Sequence, residues 1–321
     1  MEPRDAARLL VAGATGAALR HARVHDLAEL CEPGDLLVIN DTKVLPARLA
    51  LERPSGGAIE VLLLEEVAPR TWECLLRPSR RVALGDRLEG PVGLRVVASL
   101  GEGRWQVCFE GDEAVLELLA RHGTIPLPPY ITTPLADTSR YQTVYARRPA
   151  SAAAPTAGLH LTDDVFASLE AAGVAVARLE LVVGLGTFRP ITTAQVEDHV
   201  MHHENYRIPA QTLAALAQAK RVVAVGTTVV RSLEAWAATG EASGRTDLFL
   251  SRGHRFAVVD RLLTNFHVPR SSLLVLLDAF IGPRWRALYD VALAENYRFL
   301  SLGDAMLVDG AHRVGDTATP C

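Results

Sequence analysis

Three sets of residues in this chain could do chemistry. "EDHVMHHENY" (197–206) places His199, His202 and His203 among Glu197, Asp198 and Glu204. Imidazoles ordinarily titrate near neutrality and suit proton transfer. If the segment is helical, His199 and His202 share a face, and Glu204 could complete a metal site. No H-E-x-x-H and no nearby cysteine accompany them, and Pro209 follows closely. Acid–base or substrate-contact roles therefore outrank metal binding, and no metal is expected.

"RVVAVGTTVVRSLEAW" (221–236) is the second set. Gly226 ends a strand, and Thr227 or Thr228 can cap the following helix. The amides and dipole of such a helix end favour a carboxylate or phosphate. Arg231 and Glu234 are three apart and share a helical face, which alone reads as a surface ion pair. The third set lies in "LLTNFHVPRSSLLVLLDAF" (262–280), where polar residues interrupt two apolar runs. The strand is predicted to end near Phe266, with Ser271 or Ser272 capping the next helix. Asn265 and His267 then stand at a strand-to-helix switch, where α/β proteins place ligands.

Two further stretches are less specific. "AAAPTAGLHLT" (152–162) gathers small residues around Pro155 and Gly158 before His160, which allows close backbone approach to a ligand. A tight turn with a satisfied histidine fits equally. "LVVGLGTFRP" (181–190) carries Gly184, Gly186 and Thr187 after a strand. It lacks the third glycine and the helix of a dinucleotide fingerprint, so a loop bordering a ligand fits it better.

These residues need elements to hold them. "GDLLVIND" (34–41) has the pattern of a buried parallel strand. From 47 to 112, short apolar runs alternate with Gly and Pro turns, the mark of a β-rich module such as a small barrel. "EAVLELLARH" (113–122) is a short amphipathic helix. After Tyr141, "DDVFASLEAAG", "AQTLAALAQAK" and "TTVVRSLEAWA" read as helices between the strands "VAVARLELVVG", "RVVAVG" and "AVVDRLLTNF". The expected fold is α/β. A mainly parallel sheet domain with helices spans 1–46 and 136–321, with a small β-barrel domain inserted at 47–135.

Composition narrows the class. An apolar fraction of 49% and a charged fraction of 22% over 321 residues are those of a globular chain with its own core. A net charge of −4 gives no global pull toward nucleic acid, so any such contact needs a local basic patch. Arg77, Arg80 and Arg81, the pair Arg147–Arg148, and Arg252 with Arg255 are the candidates. The cysteines Cys31, Cys74, Cys108 and Cys321 form no C-x-x-C pair, which argues against a zinc ribbon or disulfide frame. No apolar run reaches the roughly 18 residues of a membrane span. A cytoplasmic protein that does not use the membrane is expected.

Seven blocks occur in a telling order: "PGDLLVINDTKVLPARL", "YQTVYA…AAPTAGLHLT", "VGLGTFRPI", "DHVMHHE", "VAVGTTVVRSLE", "LLTNFHVPRSSLLVLL" and "YRFLSLGDAML". In these, from about Pro3 to Leu307, the chain resembles the S-adenosylmethionine:tRNA ribosyltransferase-isomerase family of queuosine biosynthesis. The resemblance implies that the ribosyl part of S-adenosylmethionine is joined to the aminomethyl group of a 7-deazaguanine at the tRNA wobble position. The products are then epoxyqueuosine-tRNA, adenine and methionine. It implies S-adenosylmethionine as a consumed co-substrate, the tRNA anticodon loop as partner, no cofactor, and a monomer. It also implies an α/β domain with an inserted β-barrel.

That reaction requires a base to take a proton beside the sulfonium, and the candidates are His160, His199, His202 and His267, with Glu204 positioning an imidazole or holding a ribose hydroxyl. Thr227, Thr228 and Arg231 suit the methionine carboxylate. Gly184, Gly186 and Thr187 border the adenosine, while Glu234, Asn265, Ser271 and Ser272 complete the substrate contacts. Against the family pattern the chain begins late, Val182 stands where a histidine is expected, His203 replaces a common serine, and Asp278 a small residue. The alternative is a paralogue that binds S-adenosylmethionine or RNA without this reaction. A metal hydrolase built on His199, His202 and Glu204 is a third reading.

Overall fold

The computed structural model describes residues 3–14, 17–101, 103–128, 130–131, 135, 137–184, 191–193, 195–199, 201 and 203–311. The chain divides into two compact units. The first comprises Met1–Thr42, Ser139–Arg147 and Pro155–Cys321; the second comprises Lys43–Thr138 and Arg148–Ala154. The segment Arg148–Ala154, expected with the α/β part, clusters with the second unit, where the Leu45 amide donates to the Ser151 carbonyl at 2.9 Å.

Among the described residues, a nine-stranded sheet forms the first unit. Its order is Ser243–Thr246, Glu204–Arg207, Ala175–Leu181, Asp35–Asn40, Arg221–Val225, Arg261–Asn265, Ala305–Asp309, Arg8–Ala12 and Arg20–Arg23. Asp35–Asn40 and Arg261–Asn265 are buried at every position, as strands covered on both faces must be. Leu37, Ile39, Val223, Val225, Leu263 and Leu307 share one core with Val165 and Leu169 of the helix Asp163–Ala171. Each such side chain contributes about 1.5–3 kcal/mol by leaving water. That helix starts where a local signal says it should, with the Thr162 hydroxyl accepting from the Val165 amide at 3.4 Å.

The sheet is mixed, which corrects the expectation of a mainly parallel one. Ala175–Leu181, Asp35–Asn40, Arg221–Val225 and Arg261–Asn265 pair in parallel. Arg261–Asn265 and Ala305–Asp309 are antiparallel. The reason lies in the connection. One crossover helix returns the chain to the opposite end of the sheet, but two helices, Ser272–Ile281 and Trp285–Ala294, leave it at the end it came from. Glu204–Arg207 and Arg20–Arg23 are also antiparallel to their inner neighbours.

The second unit is a six-stranded antiparallel sheet in the order Arg48–Glu52, Ala58–Ala68, Thr71–Arg77, Arg104–Phe109, Leu94–Gly101 and Arg87–Leu88. Thr71–Arg77 alternates buried and open positions, one face packed and one wet. The edges meet through Glu52 and Glu89, whose amides and carbonyls exchange bonds of 2.7 and 2.9 Å. The sheet is thereby nearly closed and barrel-like, which removes an open edge. The helix Val115–His122 follows it.

Candidate active site

The four parallel strands end at one edge of the large sheet, and the reversed strands bring Glu204 and Ala305 to that edge. After Asp35–Asn40, the chain adds strands first on one side of it and then on the other. Asn40 therefore stands at the switch point, where open α/β sheets form ligand crevices. Its side-chain amide donates to the Leu181 carbonyl at 3.0 Å, and its oxygen accepts from the Leu181 and Thr42 amides, each at 3.2 Å. Thr228 Oγ1 lies 3.4 Å from the same side-chain nitrogen. Asn40 was absent from the sequence-derived site; the available signal was a polar residue closing the apolar run "LLVIN".

Gly226, with φ of 90°, turns the chain from Arg221–Val225 into the helix Thr227–Thr239. Gly226 itself is the N-cap, and no side chain caps this helix end. Thr227 and Thr228 instead occupy its first turn, a correction to their expected capping role. Across from it, Ser271 caps the helix Ser272–Ile281, its hydroxyl accepting from the Leu274 amide at 3.2 Å. Thr227, Thr228, Arg231, Phe249, Ser272 and Leu276 line one small cavity, so both helix N-termini face it. The Ser272 hydroxyl and the Arg231 Nη2 are buried without a partner among the described residues. Two positive helix ends and two open donors make a site for an anionic group.

Arg231 does not form the surface pair expected with Glu234. It is buried and ion-paired with Glu204, and its Nε donates to the Leu248 carbonyl at 3.3 Å. Glu204 also accepts from the Gly184 amide at 3.1 Å, so it ties the glycine loop to the threonine helix. Glu234 points elsewhere: its carboxylate accepts from the amides of Ala257, Val258 and Val259 at 2.8, 3.0 and 3.1 Å. It anchors the approach to the strand Arg261–Asn265, a structural task. Gly186, Thr187 and His202 lie outside the described residues. Val182 donates its amide to the Asn205 carbonyl at 2.9 Å as the sheet edge ends.

His199 follows the short turn Val196–Asp198 and is half-buried, its ring 5.5 Å from that of Phe249 on the cavity wall. The described part of this segment is that turn and then the strand from Glu204, so it offers no helical face of the kind the metal reading needs. His203 is exposed, 3.8 Å from Asp247. Among the described residues no group of three potential metal-ligating side chains occurs.

Asn265 and the two buried histidines form a separate knot. The Asn265 amide nitrogen meets His160 Nε2 at 3.1 Å, and its oxygen accepts from the Thr156 hydroxyl at 2.9 Å. His267 Nε2 pairs with the Thr264 hydroxyl at 2.9 Å, and its backbone amide donates to the Tyr289 hydroxyl at 2.8 Å. Burial pushes both imidazoles down to about 4, opposed at His160 by Asp304. Asp304, held below the usual carboxylate range at about 2 by Arg298 and Arg8, accepts from the Arg8 amide at 3.0 Å and from Arg298 Nη2 at 2.7 Å. It fastens the block "LSLGDAML" to the first strand.

Fold and site together define a class: a mixed α/β protein with a cavity of open donors at the strand ends and a second, barrel-like unit. The chain belongs to the family described as queuosine biosynthesis protein, whose model matches residues 1–308. It is 51% identical to the S-adenosylmethionine:tRNA ribosyltransferase-isomerase of Rubrobacter xylanophilus, over 97% of this chain and 93% of that protein. With the enzyme of the same name from Moorella thermoacetica it shares 50% identity, over 96% and 94% of the two chains. The crystal structure of S-adenosylmethionine tRNA ribosyltransferase from Thermotoga maritima is similar with a TM-score of 0.54 and 33% identity, covering 96% of this chain and 94% of that one.

Proposed function

We propose that this chain is an S-adenosylmethionine-dependent tRNA ribosyltransferase-isomerase. It moves the ribosyl group of S-adenosylmethionine onto the aminomethyl group of a 7-deazaguanine at the wobble position and releases adenine and methionine. Relatives of that name match nearly the full length at about half identity. The observation that carries the reading to particular residues is the cavity beneath two helix N-termini, with the open donors of Arg231 and Ser272.

The methionine carboxylate of the substrate suits that cavity. Each helix end contributes about 0.3–1 kcal/mol toward an anion, more where it is partly buried. Thr227 and Thr228 supply hydroxyls, and Arg231, held by Glu204, supplies a fixed charge-assisted donor. Gly184, tethered to the same Glu204, borders the rest of the nucleoside. His199, beside Phe249 and partly open to solvent, is the described imidazole best placed to take the proton next to the sulfonium. His160, Asn265 and His267 support the edge on which the ribose lies. The reading carries with it a cytoplasmic monomer that uses no metal or redox cofactor. No helix among the described residues is long and apolar enough to cross a membrane.

The test is incubation with S-adenosylmethionine and a tRNA bearing the aminomethyl-deazaguanine. Adenine release that depends on that tRNA is expected. Its absence would overturn the assignment in favour of a binding paralogue.

A further inference from the structure

Most arginines of the second unit are already engaged. Arg48 pairs with Glu60, Arg104 with Glu73, Arg121 with Glu113, and both Arg87 and Arg95 with Glu110. Arg70 donates to the carbonyls of Phe109, Glu110 and Glu113. Arg77, Arg80 and Arg81 differ. All three are exposed, and none has an ion-pair or hydrogen-bond partner among the described residues. They sit on one short path, where the strand Thr71–Arg77 ends and the 3₁₀ turn Ser79–Arg81 begins, around an open concavity lined also by Leu76, Pro78 and Ser79. The nearest cross-strand acid, Glu60 opposite Arg77, is occupied by Arg48. Leu84 stands 64% exposed just beyond, an apolar surface beside the charges.

In a chain of net charge −4, three uncompensated guanidiniums on one turn are a local anomaly. Arginine forks match phosphate oxygens bidentately, and unpaired ones need release no intramolecular partner first. The other arginines considered from sequence are weaker candidates. Arg252 is tied to Asp278, Arg147 acts electrostatically on Asp41, Arg148 has partners of its own, and Arg255 is a single exposed guanidinium. We infer that the Arg77–Arg81 turn is an RNA docking surface that grips the phosphodiester backbone of the substrate. This rests on the tRNA reading above and adds where the polynucleotide is held. The open concavity suits a backbone tracked by charge, with Leu84 as an apolar neighbour for a sugar or base face. Contacts of guanidinium to phosphate position the polynucleotide without specifying its sequence.

The experiment measures binding of a fluorescent anticodon stem-loop RNA by anisotropy between about 50 and 200 mM salt. The proteins are the full chain, its triple variant Arg77→Ala, Arg80→Ala, Arg81→Ala, and the triple lysine variant. For single-stranded contacts, three lost phosphate neutralisations lower the slope of log affinity against log salt by about 2. The alanine variant should therefore show a slope shallower by about 2 and bind at least about tenfold more weakly at the lower salt, while the lysine variant keeps the slope. S-adenosylmethionine binding without RNA should be the same in all three. An alanine variant with wild-type slope and affinity would overturn the surface while leaving the enzyme assignment standing. A full chain that binds no RNA would overturn both. Competition by poly-glutamate as effective as that by unlabelled RNA would overturn the RNA surface in favour of an acidic protein partner.

Discussion

The Arg231 cavity and the Asn265–His267 knot lie at the same edge of one sheet, and both are buried, yet their hydrogen bonding is opposite. In the knot, both ends of the Asn265 amide and the Nε2 of each histidine find partners within the protein. In the cavity, Arg231 Nη2 and the Ser272 hydroxyl find none among the described residues. A buried donor left open costs roughly 1–3 kcal/mol. Such a cost is tolerable where a ligand supplies the missing acceptor. Buried polar residues at this strand edge are thus of two kinds, those satisfied within the fold and those left with a donor open toward a cavity.

The sharpest way to break this contrast is at Arg231. Because Glu204 is buried against it, Arg231→Ala removes the cation paired with a buried carboxylate and should cost about 3–5 kcal/mol, read from the guanidinium unfolding midpoint at neutral pH. A loss below about 1 kcal/mol would show that Arg231 serves the ligand alone.

The knot is tested by acid. His160 and His267 hold their neutral forms down to about pH 4 in the native chain, whereas unfolded imidazoles take up protons near pH 6.5. The unfolded state therefore binds more protons in this window, and stability falls as the pH drops from about 6.5 to 4. Each histidine contributes on the order of 3 kcal/mol to that fall. In His267→Gln, unfolding measured across the window should lose about half of the histidine-linked slope; an unchanged slope would place the proton uptake elsewhere.

The smallest effect separates Glu234 from the cavity altogether. Glu234→Gln weakens charge-assisted bonds to three backbone amides and should cost about 1.5–3 kcal/mol of stability. The affinity for S-adenosylmethionine, measured calorimetrically on the folded protein, should stay the same. A selective loss of affinity would return Glu234 to the substrate site.

How much of this was legible in the sequence varies with distance along the chain. The helix begun by Thr162, the Ser271 cap and the apolar runs inside the buried strands follow from signals within a few residues, and such signals are physically local. The partner of Arg231 was misread because helical spacing nominated Glu234, three residues on, whereas the tertiary partner is Glu204, 27 residues away. Nothing in the spacing could reveal that, since it depends on the strand Glu204–Arg207 running back toward the edge. Asn40 was passed over for the same reason: its partners, Leu181 and Thr228, come from distant strands and helices.

By itself the sequence determined the element types, the β-rich module between α/β segments, and, through the order of its blocks, the family. Those depend on periodicity, turn residues and motif order, which are properties of the chain in one dimension. The tertiary structure alone decided strand direction, because that turns on whether one helix or two intervene. It also decided which polar groups are spent on the fold and which stay open, because a hydrogen bond is counted only when both partners have arrived. That accounting turned "TTVVRSLE" from a capped helix with a surface pair into one wall of an anion cavity.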